Sequence, residues 1–346
     1  MQIGFIAIVE AAWQDYDPSR TVLSINDISA MVSTNHVFRL RLDDESVIIA
    51  KFSFFGTYED FLEDHSLINA LANNLPAPYD QLLSRSLLKK NQLFTYHHQT
   101  ALLDAWVVFY NPIGVDRMLP KKIDERQIEI LGGELANFHK TCSRLLNILP
   151  DWSKTLKGDM LRLLWFLDTE EGQFQHRGTM GEIRRQIDIF DANMNELDAY
   201  ALEAVPVLVD WNIGNFSVTE EGKLYSRWDY DWFRMSSRVL DFYFFSRVCS
   251  TAGDKTVFSY LIDTVMEDRF MIFLKAYHAV YPLSRQEVLF IKEAYRFFIL
   301  NYVIKYGHYF FHDIYASRLQ REAFEIYFPR LEKDFKPDKI LQALDL

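Results

Sequence analysis

The chain has 346 residues, 49% of them hydrophobic and 25% charged, with a formal net charge of −11 at pH 7. That is enough apolar material to bury a sizeable core in one large two-lobed unit or two domains. The acidic balance excludes a general binder of nucleic acid or of anionic membranes, which would carry a basic stripe.

Only Cys142 and Cys249 occur, far apart and outside any Cys/His cluster, so neither a disulfide framework nor a zinc site is expected, and a reducing cytoplasm fits. The opening MQIGFIAIVE is apolar but lacks a basic start and meets Glu10 early. No apolar run approaches the roughly 18 residues a bilayer span needs. Residues 1–20 place Ile3, Ile6, Ala7, Val9 and Trp13 at helical spacing and predict a short leading helix.

From Thr21 to Phe55 the pattern turns to strands: Thr21 to Ile25, His36 to Leu42 with Phe38, Leu40 and Leu42 on one face, and Val47 to Phe52 after an acidic turn. Lys51 shares a face with Val47 and Ile49. A lysine on an otherwise apolar strand needs an anionic partner, because burying its charge alone is costly. The next helix, about Tyr58 to Asn74, ends at Leu75-Pro76-Ala77-Pro78. On it Glu63 shares a stripe with Leu67, Ala70 and Leu71 and is the expected partner of Lys51, with Glu59 in reserve.

Strands around Leu93 to Tyr96 and Ala105 to Tyr110 complete a sheet that Asn111-Pro112-Ile113-Gly114 breaks. His97 and His98 face opposite sides of a strand and cannot chelate one metal together. Asp124 and Gln127 form a capping-box-like start to an amphipathic helix marked by Ile128, Leu131, Leu135, Phe138 and Cys142. Two further helices are expected around Leu156 to Asp168 and Met180 to Tyr200, joined by a polar run from Thr169 to Thr179.

The stretch from Val205 to Asp241 carries the chemistry. Val205 to Leu208 run into Asp210, and Asn215 follows five positions later across a loop broken by Gly214. A turn at Thr219 to Gly222 leads to a short strand ending in Trp228, Asp229, Tyr230 and Asp231, so a second acid returns to the first loop. Phosphoryl transfer uses such a set: one carboxylate to accept a hydroxyl proton, an Asn and another carboxylate to hold magnesium against phosphates. Beyond Asp241 the chain reads as aromatic-rich helices. An aromatic platform for single-stranded nucleic acid would need interleaved Lys and Arg, which the acidic balance does not supply.

The loop, the Trp228-Asp229-Tyr230-Asp231 segment and Leu240-Asp241-Phe242 together resemble the phosphotransferase family of protein-kinase-like fold that includes aminoglycoside phosphotransferases, choline kinases and bacterial homoserine kinases. That family reads H-G-D-x-x-x-x-N, then I-D-W-[DE], then D-L-A. The spacing is kept here, with Leu208 and Val209 where the family usually has His and Gly. The resemblance implies an α+β, two-lobed protein-kinase-like fold: residues 1–110 as an N-lobe of antiparallel sheet plus helix, 111–116 as a hinge, and 117–346 as a helical C-lobe.

It also implies an ATP- and Mg²⁺-dependent transfer of phosphate, GTP being the other nucleotide, to a hydroxyl of a small molecule. Asp210 would be the base, Asn215 and Asp229 the metal ligands, and Lys51 with Glu63 the phosphate grip. Ser33, Thr34 and Asn35 would form the phosphate-covering turn, Tyr110 and Asn111 the adenine-reading linker. Asp241 would brace the catalytic loop, and Asp231 would assist Asp229 or bind the acceptor. Trp165, Phe166 and Trp211 are candidate acceptor-pocket aromatics, and His139 a packing residue. Only eleven residues separate Asp229 from Asp241, too few for the activation segment of regulated protein kinases, which favours a small-molecule acceptor. The competing reading is a catalytically silent kinase-like fold that binds a nucleotide or a partner.

Overall fold

The computed structural model describes residues 4–29, 36–54, 56–253 and 259–346. Helix α1 (Phe5–Tyr16) leads into strands β1 (Val22–Asp27), β2 (His36–Leu42) and β3 (Val47–Ser53), then helix α2 (Tyr58–Asn74). A two-residue hairpin, β4 (Leu88–Lys89) and β5 (Gln92–Leu93), precedes β6 (Thr95–Gln99) and β7 (Asp104–Tyr110). The sheet is antiparallel, in the order β1-β2-β3-β7-β6.

Its two faces follow from the two-residue period of the strands. Phe38, Leu40 and Leu42 of β2 join Ile48, Ala50 and Phe52 of β3 in a core sealed by Ile8, Val9, Ala12 and Trp13 of α1. The opposite set, Val37, Arg39, Val47, Ile49 and Lys51, lines a cleft. The leading helix therefore exists as expected, but it is rotated: Ile8 is buried and Ile6 is exposed.

The remainder is mainly helical. Helix α3 (Glu125–Ser143) starts at Asp124, whose side chain accepts from Gln127 N–H at 2.8 Å. The Gln127 amide does not close a capping box; it donates to the Gly222 carbonyl at 2.7 Å instead. Helices α4 (Leu156–Leu167) and α6 (Met180–Glu196) match expectation, while the polar run between them forms the additional short α5 (Glu170–Gln175). Thr169 caps that helix by accepting from Gly172 N–H, and its place just ahead of Glu170 and Glu171 is the sequence signal for that start.

The stretch around residues 205–241 folds as two short antiparallel pairs, β9 (Phe216–Val218) with β10 (Leu224–Arg227) and β8 (Val205–Val207) with β11 (Arg234–Ser236). Helices α7 (Phe242–Cys249), α8 (Asp268–Val280) and α9 (Arg285–Phe298) follow, and α9 runs on into a π-helical turn, Ile299–Lys305. Of the aromatic residues beyond Asp241, Phe242, Phe244, Phe245, Phe297 and Phe298 sit in the large helical core, while Tyr306 and Tyr309 are half-buried.

Helix α3 packs tightly on α8 at Gly132, where a Cβ would run into the Phe273 carbonyl and lie 3.1 Å from Ala276 Cβ. Gly132→Ala is expected to destabilise the chain by about 1–3 kcal/mol, the usual cost of overpacking, read as a shift in the urea midpoint at unchanged slope.

Candidate functional site

The pairing of β8 with β11 brings the end of one segment, Leu208 to Asn215, against the start of the other, Trp228 to Phe233. Two tight backbone turns shape the first, with Asp210 N–H donating to Leu208 O at 2.7 Å and Trp211 N–H to Val209 O at 2.9 Å. They force Val209 to φ 58°, and the second segment holds Asp229 at φ 67°. A β-branched residue at positive φ is a true outlier, and such strain persists only where the surroundings over-determine it.

Those surroundings are visible. Asp241, fully buried, accepts the Val209 N–H at 2.6 Å through Oδ1 and pairs with His139 Nε2 at 2.9 Å through Oδ2. His139 Nδ1 in turn meets the Tyr277 hydroxyl at 2.8 Å. On the other side Arg227, also fully buried, donates to the carbonyls of Asp210 at 2.8 Å and Asn215 at 3.3 Å, with its guanidinium over the Trp211 ring. Arg227 was not singled out in the sequence. Its only signal there is a cation closing a strand immediately before Trp228-Asp229.

Asn215 Nδ2 donates to Asp210 Oδ2 at 3.0 Å and to the Asp210 carbonyl at 3.2 Å. Burial, and then the nearby Asp229 carboxylate, push the Asp210 carboxyl up to about 7. Asp229 lies 3.6 Å from Lys51 Nζ, and its side chain is 44% exposed.

These residues meet at a cleft of about 860 Å³, walled by the strand face above and by Asn215, Trp228 and Asp229 below, with Tyr110, Pro112 and Ile113 at one end. Asp210 is half-buried behind that wall. Asn111, by contrast, is exposed, and its N–H is committed to the Arg85 carbonyl at 3.0 Å. Ser33, Thr34 and Asn35 lie outside the described residues.

Lys51 departs from expectation. Its ammonium is ion-paired with Asp231, and burial lowers its pKa, opposed chiefly by Asp229. Glu63 is not its partner: it accepts from the backbone N–H groups of Ser153 at 2.9 Å and Lys154 at 3.4 Å. Glu59 does not take its place. The reason is rotational. The buried face of α2 runs through His65, Ile68, Leu71 and Ala72, which puts Asp64 near its centre and Glu63 to the side. Asp64 pairs with Lys154, and burial pushes its carboxyl up to about 6.

The aromatic candidates for an acceptor pocket are placed elsewhere. Trp165 is 71% exposed, and Trp211 is fully buried against Phe138, Phe216 and Phe245. Neither they nor Phe166 lines the cleft.

Among the described residues no group of three or more His, Cys, Asp or Glu could hold a metal. The donors present fit Mg²⁺ all the same, which is usually held by one or two carboxylates together with substrate phosphates. Asp229 supplies an accessible carboxylate, and Asn215, whose amide nitrogen is occupied by Asp210, keeps its oxygen for a ligand.

No protein-family model matches the sequence, and a search of curated proteins finds no match. Solved structures do match along nearly the whole chain. The amicoumacin kinase hAmiN, in complex with AMP-PNP, Ca²⁺ and Ami, aligns at a TM-score of 0.63 and 14% identity over 91% of each chain. A microcompartment-associated aminopropanol kinase aligns at 0.63 and 14% over 95% of this chain and 98% of that one. The GDP complex of aminoglycoside 2'-phosphotransferase-IIIa aligns at 0.55 and 11% over 94% and 98%. The chain has the two-lobed, protein-kinase-like fold of these phosphotransferases.

Proposed function

We propose that the protein is a small-molecule kinase that moves the γ-phosphate of ATP, or of GTP, to a hydroxyl, with Mg²⁺ as cofactor. The observation that carries this reading is the convergence of Lys51, Asn215 and Asp229 on one cleft, with Asp210 directly behind it on a loop held by Asp241 and Arg227. The relatives in fold add support, since their names describe kinases of small molecules or complexes with AMP-PNP or GDP.

In this reading Lys51 grips phosphate oxygens and Tyr110 packs beside the base, with residues 1–110 forming the upper lobe, 111–116 the hinge and 117–346 the lower lobe. Mg²⁺, when bound by Asn215 and Asp229, supplies charge neutralisation at the phosphates. Asp210 orients the acceptor hydroxyl and takes its proton. The acceptor oxygen bonds to the γ-phosphorus as the bond to the bridging oxygen breaks, and the nucleoside diphosphate leaves with that electron pair. No helix among the described residues is long and apolar enough to cross a membrane. Cys142 and Cys249 are both free and buried, which suits a reducing cytoplasm.

The test is the melting temperature with ATP, with and without Mg²⁺. A ligand at about 100 times its Kd stabilises the fold by roughly 2.7 kcal/mol, a few degrees in a chain of this size. The shift is expected to require Mg²⁺ and to be lost in Asp229→Asn. No shift with ATP or GTP would instead favour a catalytically silent fold.

A further inference from the structure

After the π-helical turn the chain forms helices α10 (Gly307–Phe310) and α11 (Asp313–Glu322) and a second π-helical turn, Ala323–Tyr327. A groove of about 460 Å³ lies between these elements and the residues within and just after α5. That volume is usual for a small-molecule site, and no residue that lines the groove also lines the cleft at Lys51 and Asp229. Departures from α-helical winding gather at functional sites, and the second turn presents Phe324 and Glu325 to the groove.

Three kinds of group meet there. The first is cationic. Arg177 is exposed and makes no hydrogen bond or ion pair among the described residues. Arg321 stands 3.9 Å from Glu325, a loose contact between side chains 66% and 63% exposed. Glu325 is the only carboxylate of the lining, so two guanidiniums face one acid on a chain whose net charge is −11. Burial pushes the His176 imidazole down to about 4, so it adds no charge at neutral pH.

The second is a buried acceptor. Gln320 is only 8% exposed, and its Nε2 donates to the carbonyls of Val303 at 3.4 Å and Ile304 at 3.0 Å, which fixes the way the amide faces. Its Oε1 has no partner among the described residues and, unlike His176 Nε2, is not among the atoms sealed from the groove. A ligand that donates to it meets an acceptor otherwise left to water. The third is apolar: two phenyl rings, Phe174, which is 83% exposed, and the half-buried Phe324.

We propose that this groove binds a small aromatic carboxylate that carries an amino or hydroxyl donor. The guanidinium fork of an arginine matches a carboxylate, and a monoanion balances the surplus of one positive charge. The donor meets Gln320 Oε1, and the ring packs on Phe174 and Phe324. The site goes beyond the phosphotransfer reading and does not rest on it.

NMR titration tests it on the native chain and on Arg177→Gln and Arg321→Gln, both at exposed positions, with 4-aminobenzoate, benzoate and benzylamine as probes. The native chain is expected to bind 4-aminobenzoate more tightly than benzoate and not to bind benzylamine. The Kd for 4-aminobenzoate should rise about tenfold in each variant, and saturating Mg²⁺-ATP should leave it unchanged. No binding of 4-aminobenzoate, an affinity that either arginine variant leaves unaltered, benzoate or benzylamine bound as tightly, or displacement by Mg²⁺-ATP would overturn the proposal. Binding by a chain that shows no Mg²⁺-dependent ATP shift would leave this site standing and remove phosphotransfer.

Discussion

Asp210→Asn is expected to cut turnover by about 10²–10⁴-fold, the usual contribution of a positioned base, while the Mg²⁺-dependent ATP shift in melting temperature persists. In the proposed mechanism Asp210 acts on the hydroxyl rather than on the nucleotide, so the loss would belong to kcat and not to nucleotide affinity. Equal losses in both would remove the base assignment. On the same proposal the native chain should show an acid limb in kcat/KM at about pH 7, because burial and the Asp229 carboxylate raise the Asp210 pKa to that value and only the ionised form accepts a proton.

The same shift has a stability consequence of opposite sign. The folded-state pKa lies above the ordinary value of 3.8, so the fold favours the protonated form. That contribution is fully present below about pH 4 and is lost as pH rises through 7. Asp210→Asn should therefore melt above the native chain at about pH 8, and the difference should vanish near pH 4. A less active and more stable variant is the signature of a site kept under electrostatic strain.

Arg227→Met should be the most damaging single change near the loop. The side chain is fully buried and donates to the carbonyls of Asp210 and Asn215, which would keep one donor each, Asn215 Nδ2 at 3.2 Å and Trp228 N–H at 3.0 Å; losing two hydrogen bonds from a charged donor costs about 1.5–3 kcal/mol each. A urea midpoint lowered accordingly is the stability readout. A second readout separates packing from electrostatics. Arg227 lowers the Asp210 pKa, so its removal should move the acid limb of kcat/KM to higher pH, and Arg227→Lys should restore that limb better than it restores stability.

The sequence exposed most of the polar set because each residue contradicts its surroundings: a lysine on an apolar strand, an acid ending an apolar run, a second acid ending a strand. The sheet was legible for the same reason, since a two-residue period allows only two faces. The partner of Lys51 was not legible. On a helix neighbouring residues differ by 100°, and a stripe drawn through Leu67 and Leu71 admits either Glu63 or Asp64. The tie is broken only by what packs beneath α2. Arg227 escaped because a buried arginine is recognised by its acceptors, and those are backbone carbonyls that every sequence possesses.

Helix α2 is tied to the helical part of the molecule at three points: Glu63 on the N–H groups of Ser153 and Lys154, Asp64 on Lys154, and Asp60 on Arg162. It is joined to the sheet by the short connection after Ser53, which contains Gly56 at φ 79°. It is held to the sheet as well, by the Tyr58 hydroxyl meeting that of Thr95 at 2.7 Å, by His65 meeting the Tyr110 hydroxyl and by Tyr58 stacked on His97, so α2 bridges the sheet and the helical part of the molecule. Lys51 on the sheet and Asp231 below it add one more tie across the cleft, an ion pair that any widening of the cleft would have to break.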